Sequence, residues 1–597
     1  MMLTLGVVAV LGSACSCSRH SDVEVEVAES PEPTEESAPA ELLRSSVLGQ
    51  AIDNFILKDF HGNEFSLESF ADDRLVVVVF LGVECPLARL YAPRLNAMAE
   101  TYASQGVAFV GINSNLQDSI RDLANYARQF DLGFPLLKDP ANVVADQFKA
   151  IRTPEVFVLD DHRRVRYWGR IDNQFGVGFQ RTQATRNDLD EALTDLLAKR
   201  EVRREVTLAP GCIIGRVSRV EPHGEVTYCN QISRILQRRC TECHRSGEVA
   251  PFALQSYDEV VGWAEMIREV VHQRRMPPWL ANPKFGKFSN NPSLTSEELR
   301  LIDQWVENGA PEGDREQLPQ AVAVDTGWRI GEPDEVFFMS EKPFNVPAEG
   351  VVDYQYFVVD PGHKEDRWIQ AGEARPGNRT VVHHITAFIW PPGVSREDLA
   401  LEIGYVPGVQ PRVYPPGTAI KLDKDAKLLF EVHYTPIGTP RTDRSSVAFK
   451  YADPATIKHA IRGGWAGNEK FIIPPGADNY KVTARYRFTR DMRLLSFMPH
   501  MHLRGKAFRY DVLYPDGTRE TLLDVPRYDF YWQLWYDLDT PRFMPRGTYL
   551  NCTARFDNSA ENPINPDPSA TVKFGLQTFD EMMFGYFDAV EADEQAP

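Results

Sequence analysis

Six side chains of the kinds that bind metal ions recur in short motifs across the last third of the chain. In the motifs VVHHITAF, FEVHYTP, MPHMHLRG and TFDEMM they are His383, His384, His433, His500, His502 and Met582. Imidazole nitrogen and thioether sulfur together suit copper, which changes between two oxidation states in such surroundings. The pattern therefore predicts a redox-active copper site rather than a structural zinc site.

A second redox motif, CTECH, lies upstream of these histidines. Its Cys240 and Cys243 can each form a thioether bond to a haem vinyl group, while His244 binds the iron. A zinc site or a chance match is the alternative. Export of the chain favours haem c, because c-type haem is attached outside the cytoplasm.

The second axial ligand of that iron is predicted to come from the same domain. We favour Met276, because a methionine before two prolines is held on a rigid extended loop, and a thioether would raise the haem potential. His272 and Met266 are the alternatives, and each is more simply explained as a helix residue.

Helical periodicity surrounds the CTECH motif. Thr295 and Glu298 have the spacing of a capping box at the start of a last helix that ends at Gly309. These patterns predict an all-α domain over residues 222–315, and the arrangement resembles a cytochrome c.

Strands alternate with helices between residues 45 and 200, which indicates an α/β sheet. Cys85 follows the apolar strand 75–80 at the start of a helix, and Thr153-Pro154 precedes the strand 155–159. This segment resembles a thioredoxin-like or peroxiredoxin-like (redoxin) domain. The resemblance implies a cysteine activated by the helix dipole, with a cis proline facing it.

The second cysteine of a CxxC motif is missing from this segment, because Ala88 stands where it would be. Cys85 is therefore expected to work with a distant resolving thiol, and Cys212 in APGCIIG is the best candidate. The alternative is a degenerate domain in which Cys85 is inert packing.

Length and composition limit the possible number of domains, the partners and the location of the protein. A chain of 597 residues is too long for one core, and its net charge of −19 argues against a nucleic-acid partner. Residues 1–17 are predicted to be a signal peptide, and residues 18–44 a disordered acidic tether. The sequence LGSAC resembles a lipoprotein cleavage site, in which Cys15 would be lipidated; simple cleavage is the alternative. We expect an exported protein, periplasmic or held at a membrane only through that anchor.

Strand-and-turn patterns fill the chain after residue 325, and two β-sandwiches, 325–470 and 471–597, are the economical interpretation. The four histidine and methionine motifs, in their order, resemble the copper type II ascorbate-dependent monooxygenases, the family of peptidylglycine α-hydroxylating and dopamine β-monooxygenases. The resemblance implies two jelly rolls with two copper ions. The first ion would be held by His383, His384 and His433, and the oxygen-binding second ion by His500, His502 and Met582.

Local geometry agrees with part of this assignment. His500 and His502 are two residues apart, so on a strand both point to one face and can share a metal ion. His383 and His384 are adjacent and would point to opposite faces of a regular strand. They can share an ion only at a strand end or a bulge, or if one ring turns its other nitrogen inward.

Several positions depart from that family. Met498 stands where the amidating enzyme has an arginine for its substrate carboxylate, and Phe584 replaces an asparagine, although Tyr586 is retained as a substrate-pocket candidate. A small, more apolar substrate is therefore expected. Met583 replaces a disulfide-forming cysteine, which predicts that Cys552 is a free thiol.

The fusion of domains suggests a function. We predict hydroxylation of a C–H bond with O2, with a one-electron donor reducing the haem and the haem feeding the first copper, where the animal enzymes use ascorbate. Two alternatives remain open. One is an exported electron-transfer or copper-binding protein without hydroxylase turnover, and the other is a redoxin-type peroxide or thiol reductase.

Overall fold

The computed structural model describes residues 47–592, except 182, 247, 249, 321–326, 349–351, 397–398, 400–402, 407–409 and 437–439. The signal peptide predicted for 1–17, with Cys15, and the tether predicted for 18–44 lie outside the described residues. Among the residues that are described, no helix combines the length and the apolar character that a membrane crossing needs.

The N-terminal domain is a thioredoxin-like α/β unit. Its seven-stranded sheet has the order β2-β1-β5-β4-β3-β7-β8. The strands are β1 (Ile56–Asp59), β2 (Glu64–Ser66), β3 (Leu75–Phe80), β4 (Val107–Asn113), β5 (Leu136–Lys138), β6 (Arg152–Thr153), β7 (Glu155–Leu159), β8 (Val165–Gly169), β9 (Phe175–Gly176), β10 (Phe179–Gln180) and β11 (Cys212–Ile213). The helices are α1 (Pro86–Ala103), α2 (Ile120–Phe130), α3 (Val143–Phe148) and α4 (Asp188–Leu197). Every residue of β3 is buried, as expected for an apolar strand covered on both faces.

This domain extends beyond the boundary predicted at residue 200. Strand β11 pairs with β6, and Cys212 lies opposite Thr153 in that pair. Val206 also forms a bridge to Trp168 in β8. Residues 201–215 therefore complete the redoxin unit.

A helical segment follows, but the structure does not show the separate all-α cytochrome c-like domain predicted for 222–315. It contains a π-helical turn (Tyr228–Ile232) and the helices α5 (Ser233–Arg239), α6 (Tyr257–Val261), α7 (Ala264–His272) and α8 (Ser296–Glu307). The capping box of Thr295 and Glu298 is confirmed at the start of α8. The helices share one continuous hydrophobic core with the redoxin domain, so they do not form a unit of their own.

The irregular segment after α7 contacts residues from the C-terminal part of the chain. The Trp279 ring lies 4.8 Å from that of Tyr536, and the Phe288 ring lies 5.6 Å from the same tyrosine. The Asn282 amide donates to the Asp524 carbonyl. This segment therefore packs on the C-terminal sandwich rather than closing a helical domain.

The C-terminal region is rich in β structure and forms two sandwiches. The first contains β12 (Glu335–Phe338), β13 (Phe344–Val346), β14 (Gln355–Val359), β15 (Arg367–Arg375), β16 (Val382–Trp390), β17 (Ile403–Tyr405), β18 (Arg412–Val413), β19 (Thr418–Leu422), β20 (Lys427–Tyr434), β21 (Arg441–Asp443), β22 (Ser446–Tyr451) and β23 (His459–Ala460). Its two main sheets have the orders β12-β22-β15-β19-β23 and β14-β20-β16-β17.

The second sandwich has a matching arrangement. It contains β24 (Arg462–Gly467), β25 (Ile472–Ile473), β26 (Tyr480–Arg487), β27 (Met492–His500), β28 (Gly505–Leu513), β29 (Arg519–Val525), β30 (Tyr536–Met544), β31 (Tyr549–Phe556), β32 (Val572–Lys573) and β33 (Phe584–Glu591). Its sheets, β24-β33-β27-β30 and β26-β31-β28-β29, follow the strand order of a jelly roll, and the first sandwich has the same order in its main strands. Because β24 pairs with β33, this lobe begins near Arg462 rather than at 471.

Arg412 joins the two sandwiches. Its guanidinium contacts Asp537 at 2.8 Å and Asp588 at 2.6 Å, both in the second sandwich, and lies 4.1 Å from the Trp535 ring. Arg412 is 8% exposed and Asp588 is 4% exposed. A buried ion pair of this kind fixes the relative orientation of two surfaces. A shift between the surfaces would leave a charged side chain buried without its partner.

Candidate functional site

The first histidine cluster lies where β16 and β20 pair in the first sandwich. His384 is opposite His433, and the register shifts between Val382 and His384. This bulge turns the adjacent His383 and His384 toward the same point, which regular alternation would prevent. The local irregularity that a shared ion requires is therefore present.

The nitrogen atoms of this cluster converge. One ring nitrogen from each of His383, His384 and His433 lies within 4.8 Å of the others. The Nδ1 atoms of His383 and His384 are 3.1 Å apart, and Nδ1 of His433 is buried without a hydrogen-bond partner. A buried polar nitrogen normally has a partner, so this unsatisfied atom fits a metal ligand.

The second histidine pair lies at the end of β27 in the other sandwich. The Nδ1 atom of His500 contacts Gln533 Oε1 at 2.7 Å, and Nδ1 of His502 contacts the Asp580 carbonyl at 3.3 Å. Both acceptors require a proton on Nδ1, so each Nε2 keeps its lone pair. Anchoring one ring nitrogen is how proteins orient the other toward a metal ion.

Burial keeps these rings neutral. It lowers the pKa of His383 to about 4 and the pKa values of His433 and His502 to about 3, and it also lowers those of His384 and His500. Neutral imidazole is the form that binds metal ions, so at neutral pH none of the five has to lose a proton first.

Met582 is held beside His502 by a buried carboxylate. Glu581 Oε2 accepts the backbone N–H of His502 at 2.9 Å and that of Met582 at 3.3 Å, while Oε1 accepts the N–H of Arg504 at 2.6 Å. Met583 points into the sandwich core. The structure thus brings Met582 to the end of the strand pair that carries His500 and His502.

Phe530 lies between the two clusters. Its ring stacks on His383, with centroids 5.5 Å apart and planes 13° apart, and meets His502 edge-on at 6.1 Å. Phe530 is 3% exposed. Tyr354 covers the first cluster from another side, 4.9 Å from the His433 ring. The two clusters therefore face each other across one aromatic ring.

Aromatic and apolar side chains cover part of the second cluster. The Tyr586 ring lies 6.2 Å from that of His500 and stacks on Phe584 at 5.7 Å. Met498 lies opposite Tyr586 in the strand pair and is buried. Cys552 is a buried free thiol, as the sequence predicted.

The CTECH motif has the donor atoms that haem attachment requires. Cys240 and Cys243 are free thiols. Nδ1 of His244 contacts the Phe252 carbonyl at 3.2 Å, which leaves Nε2 for an iron ligand.

Of the three candidates for the other axial ligand, two have partners elsewhere. His272 contacts Asp303 at 2.7 Å, and the Met266 sulfur accepts the Ile213 N–H at 3.5 Å. Met276 follows α7 and is half-buried. The preference for Met276 therefore stays a prediction.

Cys85 and Cys212 form a buried thiol pair. Cys85 caps α1, where Pro86 is the first helical residue, and the Thr153-Pro154 bond is cis. Strand β11 brings Cys212 opposite Thr153, whose carbonyl lies 3.0 Å from the Cys85 sulfur. Cys212 lies close enough to Cys85 to lower the pKa of its thiol. The structure thus places the thiol proposed as resolving partner directly against Cys85.

The two thiols differ in acidity. Burial raises the pKa of Cys85, but hydrogen bonds from Cys212 and from the backbone of Ala88 outweigh burial and lower the pKa to about 7. The same contact with Cys85, together with burial, raises the pKa of Cys212 well above its ordinary value. This difference in pKa favours Cys85 as the thiolate and Cys212 as the thiol that stays protonated.

We expect the ultraviolet thiolate absorbance of the folded, copper-free protein to rise by one equivalent with a midpoint near pH 7. The thiolate predominates above that midpoint because its pKa is lowered. The Cys85→Ser variant should lack the step, and Cys212→Ala should move it to higher pH because the donor is gone. Cys552→Ser is the matched buried control and should keep it; a step near pH 7 that survives in Cys85→Ser would contradict the assignment.

Comparisons with known proteins concern the N-terminal domain. Residues 48–168 match the model of the AhpC/TSA family. A thioredoxin-like protein of Haemophilus influenzae is 26% identical over 136 residues, which are 22% of this chain and 78% of that protein. The thiol-disulfide oxidoreductase ResA of Bacillus thuringiensis subsp. konkukian is 25% identical over 118 residues, 20% of this chain and 66% of that protein. The N-terminal domain is thus a thioredoxin-like redoxin domain.

A solved structure also aligns with part of this chain. A hypothetical protein of Sinorhizobium meliloti 1021 shares 32% sequence identity, with 28% of this chain and 94% of that chain covered and a TM-score of 0.27.

The sequence analysis missed three residues of the clusters: Phe530, Gln533 and Glu581. Each acts through a contact that forms only on folding. Phe530 and Gln533 lie in none of the motifs, and only Glu581 had a local signal, as an acidic residue within TFDEMM.

Proposed function

We propose that this chain is an exported copper-dependent monooxygenase that inserts one oxygen atom of O2 into a C–H bond of a small, apolar substrate. The observation that carries the proposal is the pair of neutral histidine clusters facing each other across Phe530. One cluster has three imidazoles, and the other has two imidazoles with the backbone of Met582 held next to His502 by Glu581. Nitrogen and sulfur donors of this kind favour copper over magnesium or calcium.

Copper bound at the two clusters would supply one-electron transfer and oxygen activation. The protein's own residues orient the imidazole rings that would bind the copper ions. Gln533 and the Asp580 carbonyl fix the proton on Nδ1 of His500 and His502, so that each Nε2 would keep its lone pair for a metal ion. In the first cluster, the bulge before His384 brings the rings of His383 and His384 together.

Apolar side chains next to the second cluster support an apolar substrate. Met498 and Phe584 offer no charge to a substrate carboxylate, and the buried Phe530 ring lies between the clusters. The Tyr586 phenol is the polar group nearest to His500 among the predicted pocket residues. It is a candidate for orienting the substrate.

Contacts between the CTECH loop and the first sandwich support electron delivery from a haem held at Cys240, Cys243 and His244. Glu248, shortly after the motif, accepts a hydrogen bond from Arg379 at 3.2 Å and lies 3.7 Å from Arg329. Arg379 precedes His383 by four residues. These contacts hold the CTECH loop next to β16, the strand that carries His383 and His384.

The proposal is tested by isotope labelling. Protein matured in a periplasm and loaded with copper is supplied with a reductant, 18O2 and a panel of small apolar substrates. We expect two copper ions and one covalent haem per chain, and one labelled oxygen atom in the product. O2 consumption that yields only peroxide, with no labelled product from the panel, would contradict hydroxylation and favour an electron-transfer or copper-binding protein.

The thiol pair supports a second candidate function for the redoxin domain. A low-pKa Cys85 in contact with Cys212 has the parts needed to reduce a peroxide or a disulfide, in keeping with the thiol-disulfide oxidoreductase named among the similar proteins. Peroxide and disulfide reduction by wild type and by Cys85→Ser, both without copper, tests it. Equal rates in the two proteins would dismiss this activity.

A further inference from the structure

The thiol pair is closed off by the helical segment rather than open to a protein partner. Cys85 is 0% exposed and Cys212 is 9% exposed. Met266 in α7 accepts the N–H of Ile213, the residue after Cys212, and Glu269 in the same helix pairs with Arg152 at 2.7 Å. A folded protein substrate cannot reach either sulfur in this arrangement. The pair is in contact with the segment that carries the haem motif instead.

A series of aromatic rings leads from that motif to the thiol pair. The His244 ring lies 4.8 Å from that of Phe252, and Phe252 stacks on Trp263 with centroids 4.1 Å and planes 11° apart. Trp263 is 1% exposed, and its side chain lies close enough to Glu84 to influence the pKa of that carboxyl, although no hydrogen bond joins the two side chains. Glu84 directly precedes Cys85. Ring contacts therefore connect His244 to Trp263, which lies near the residue before Cys85.

We propose that the Cys85–Cys212 dithiol is the internal electron source of the chain, passing electrons through Trp263 and Phe252 to the haem site and from there to the histidine clusters. This inference rests on the proposed function and deepens it by naming the electron donor. The CTECH segment contacts the redoxin core on one side and, through Glu248, the first sandwich on the other. It therefore lies between the thiols and the clusters, as a relay must.

The electron count of the two reactions matches. When the dithiol closes to a disulfide, one S–S bond forms, two protons leave, and two electrons pass one at a time to the haem iron. Hydroxylation of one C–H bond consumes one O2, two electrons and two protons, and yields one alcohol and one water. One dithiol is therefore oxidised for each molecule of product formed. A small dithiol reductant would restore the pair by thiol–disulfide exchange at Cys212, the less buried sulfur.

Glu84 supports the proton side of this step. Burial, with the neighbouring Asp118 carboxylate, raises the pKa of Glu84 to about 7. A carboxyl group with such a pKa exchanges protons readily at neutral pH. It stands next to Cys85 in the chain, at the end of the ring series.

The test is an anaerobic oxidative titration of the full chain without copper. Fully reduced protein is freed of reductant and titrated with ferricyanide, a one-electron acceptor, while haem absorbance and alkylation mass spectrometry are followed. We expect wild type to release three electrons per chain, one from the haem and two from the thiols, with a disulfide at Cys85 and Cys212. Cys85→Ser should release one. Cys552→Ser, which removes a buried thiol in the second sandwich, should still release three.

Release of one electron by haem-containing wild type, with both thiols retained, would overturn the inference and leave the proposed hydroxylation standing. Thiol loss at the same rate in the haem-free Cys240→Ser/Cys243→Ser variant would also overturn it, because the electrons would then bypass the haem. A chain that matures without haem would refute this inference together with the haem part of the proposed function. The 18O2 experiment remains a separate test of hydroxylation.

Discussion

The His433→Ala variant is expected to bind one copper ion per chain where the wild type binds two, and to lose hydroxylation. His433 supplies one of three converging nitrogens, and its removal leaves two adjacent imidazoles on one strand. Loss of a residue that only supports a ligand already costs about 10- to 100-fold in metal affinity. Loss of a ligand should therefore weaken copper binding at this cluster by more than about 100-fold. Metal analysis after dialysis against a chelator, with product formation in parallel, measures both effects.

His162→Ala is the matched control, because that histidine is exposed on the redoxin domain with 81% of its side chain accessible. It should keep both ions and full activity. The second cluster should also keep its ion in His433→Ala, since His500 and His502 have their own anchors. Two ions at wild-type affinity in His433→Ala would refute the first centre.

The Arg412→Met variant is expected to destabilise the C-terminal region by about 3–5 kcal/mol, the usual cost of leaving a buried charge without its partner. Asp588 would remain almost fully buried with no cation beside it. Burial already raises the pKa of Asp588, and without Arg412 the carboxyl would bind a proton more readily. The deficit should therefore be largest at neutral pH and shrink as the pH falls. Thermal unfolding followed by tryptophan fluorescence should show a midpoint lower by roughly 10 °C.

Lys364→Met provides the comparison. Lys364 pairs with Asp425 at 2.8 Å, but both side chains are largely exposed. Exposed pairs contribute at most about 1 kcal/mol, so this variant should unfold close to wild type. An Arg412→Met midpoint equal to that of Lys364→Met would show that the lobes are held together by other contacts.

The redoxin domain illustrates what local patterns can predict. A continuous apolar run gave the buried strand β3, and the position of Cys85 before a proline gave the start of α1. Both depend on neighbouring residues in the chain, and so did the capping box at Thr295. The contact between Cys85 and Cys212 was a guess from the sequence, because it depends on β11 returning to pair with β6.

The helical segment shows where such patterns mislead. Periodicity correctly indicated helices, and it suggested a self-contained all-α domain. An amphipathic pattern indicates that one face of a helix is buried, but it does not indicate which part of the protein buries that face. Here Trp263 and its neighbours pack into the core of the redoxin domain, and Trp279 packs on the second sandwich. The sequence of the segment alone does not indicate which domains it packs against.

The sequence by itself determined the donor chemistry: which imidazoles, thiols and thioether are present, and which of them share a strand face, because strand alternation is a local property. It also showed that His383 and His384 can share an ion only at a strand end or a bulge, or if one ring turns its other nitrogen inward. Only the tertiary structure decided where that bulge falls, that Phe530 separates the clusters, and that Cys212 meets Cys85. These arrangements join residues far apart in the chain, and their positions are set by the packing of whole sheets and helices rather than by any local pattern.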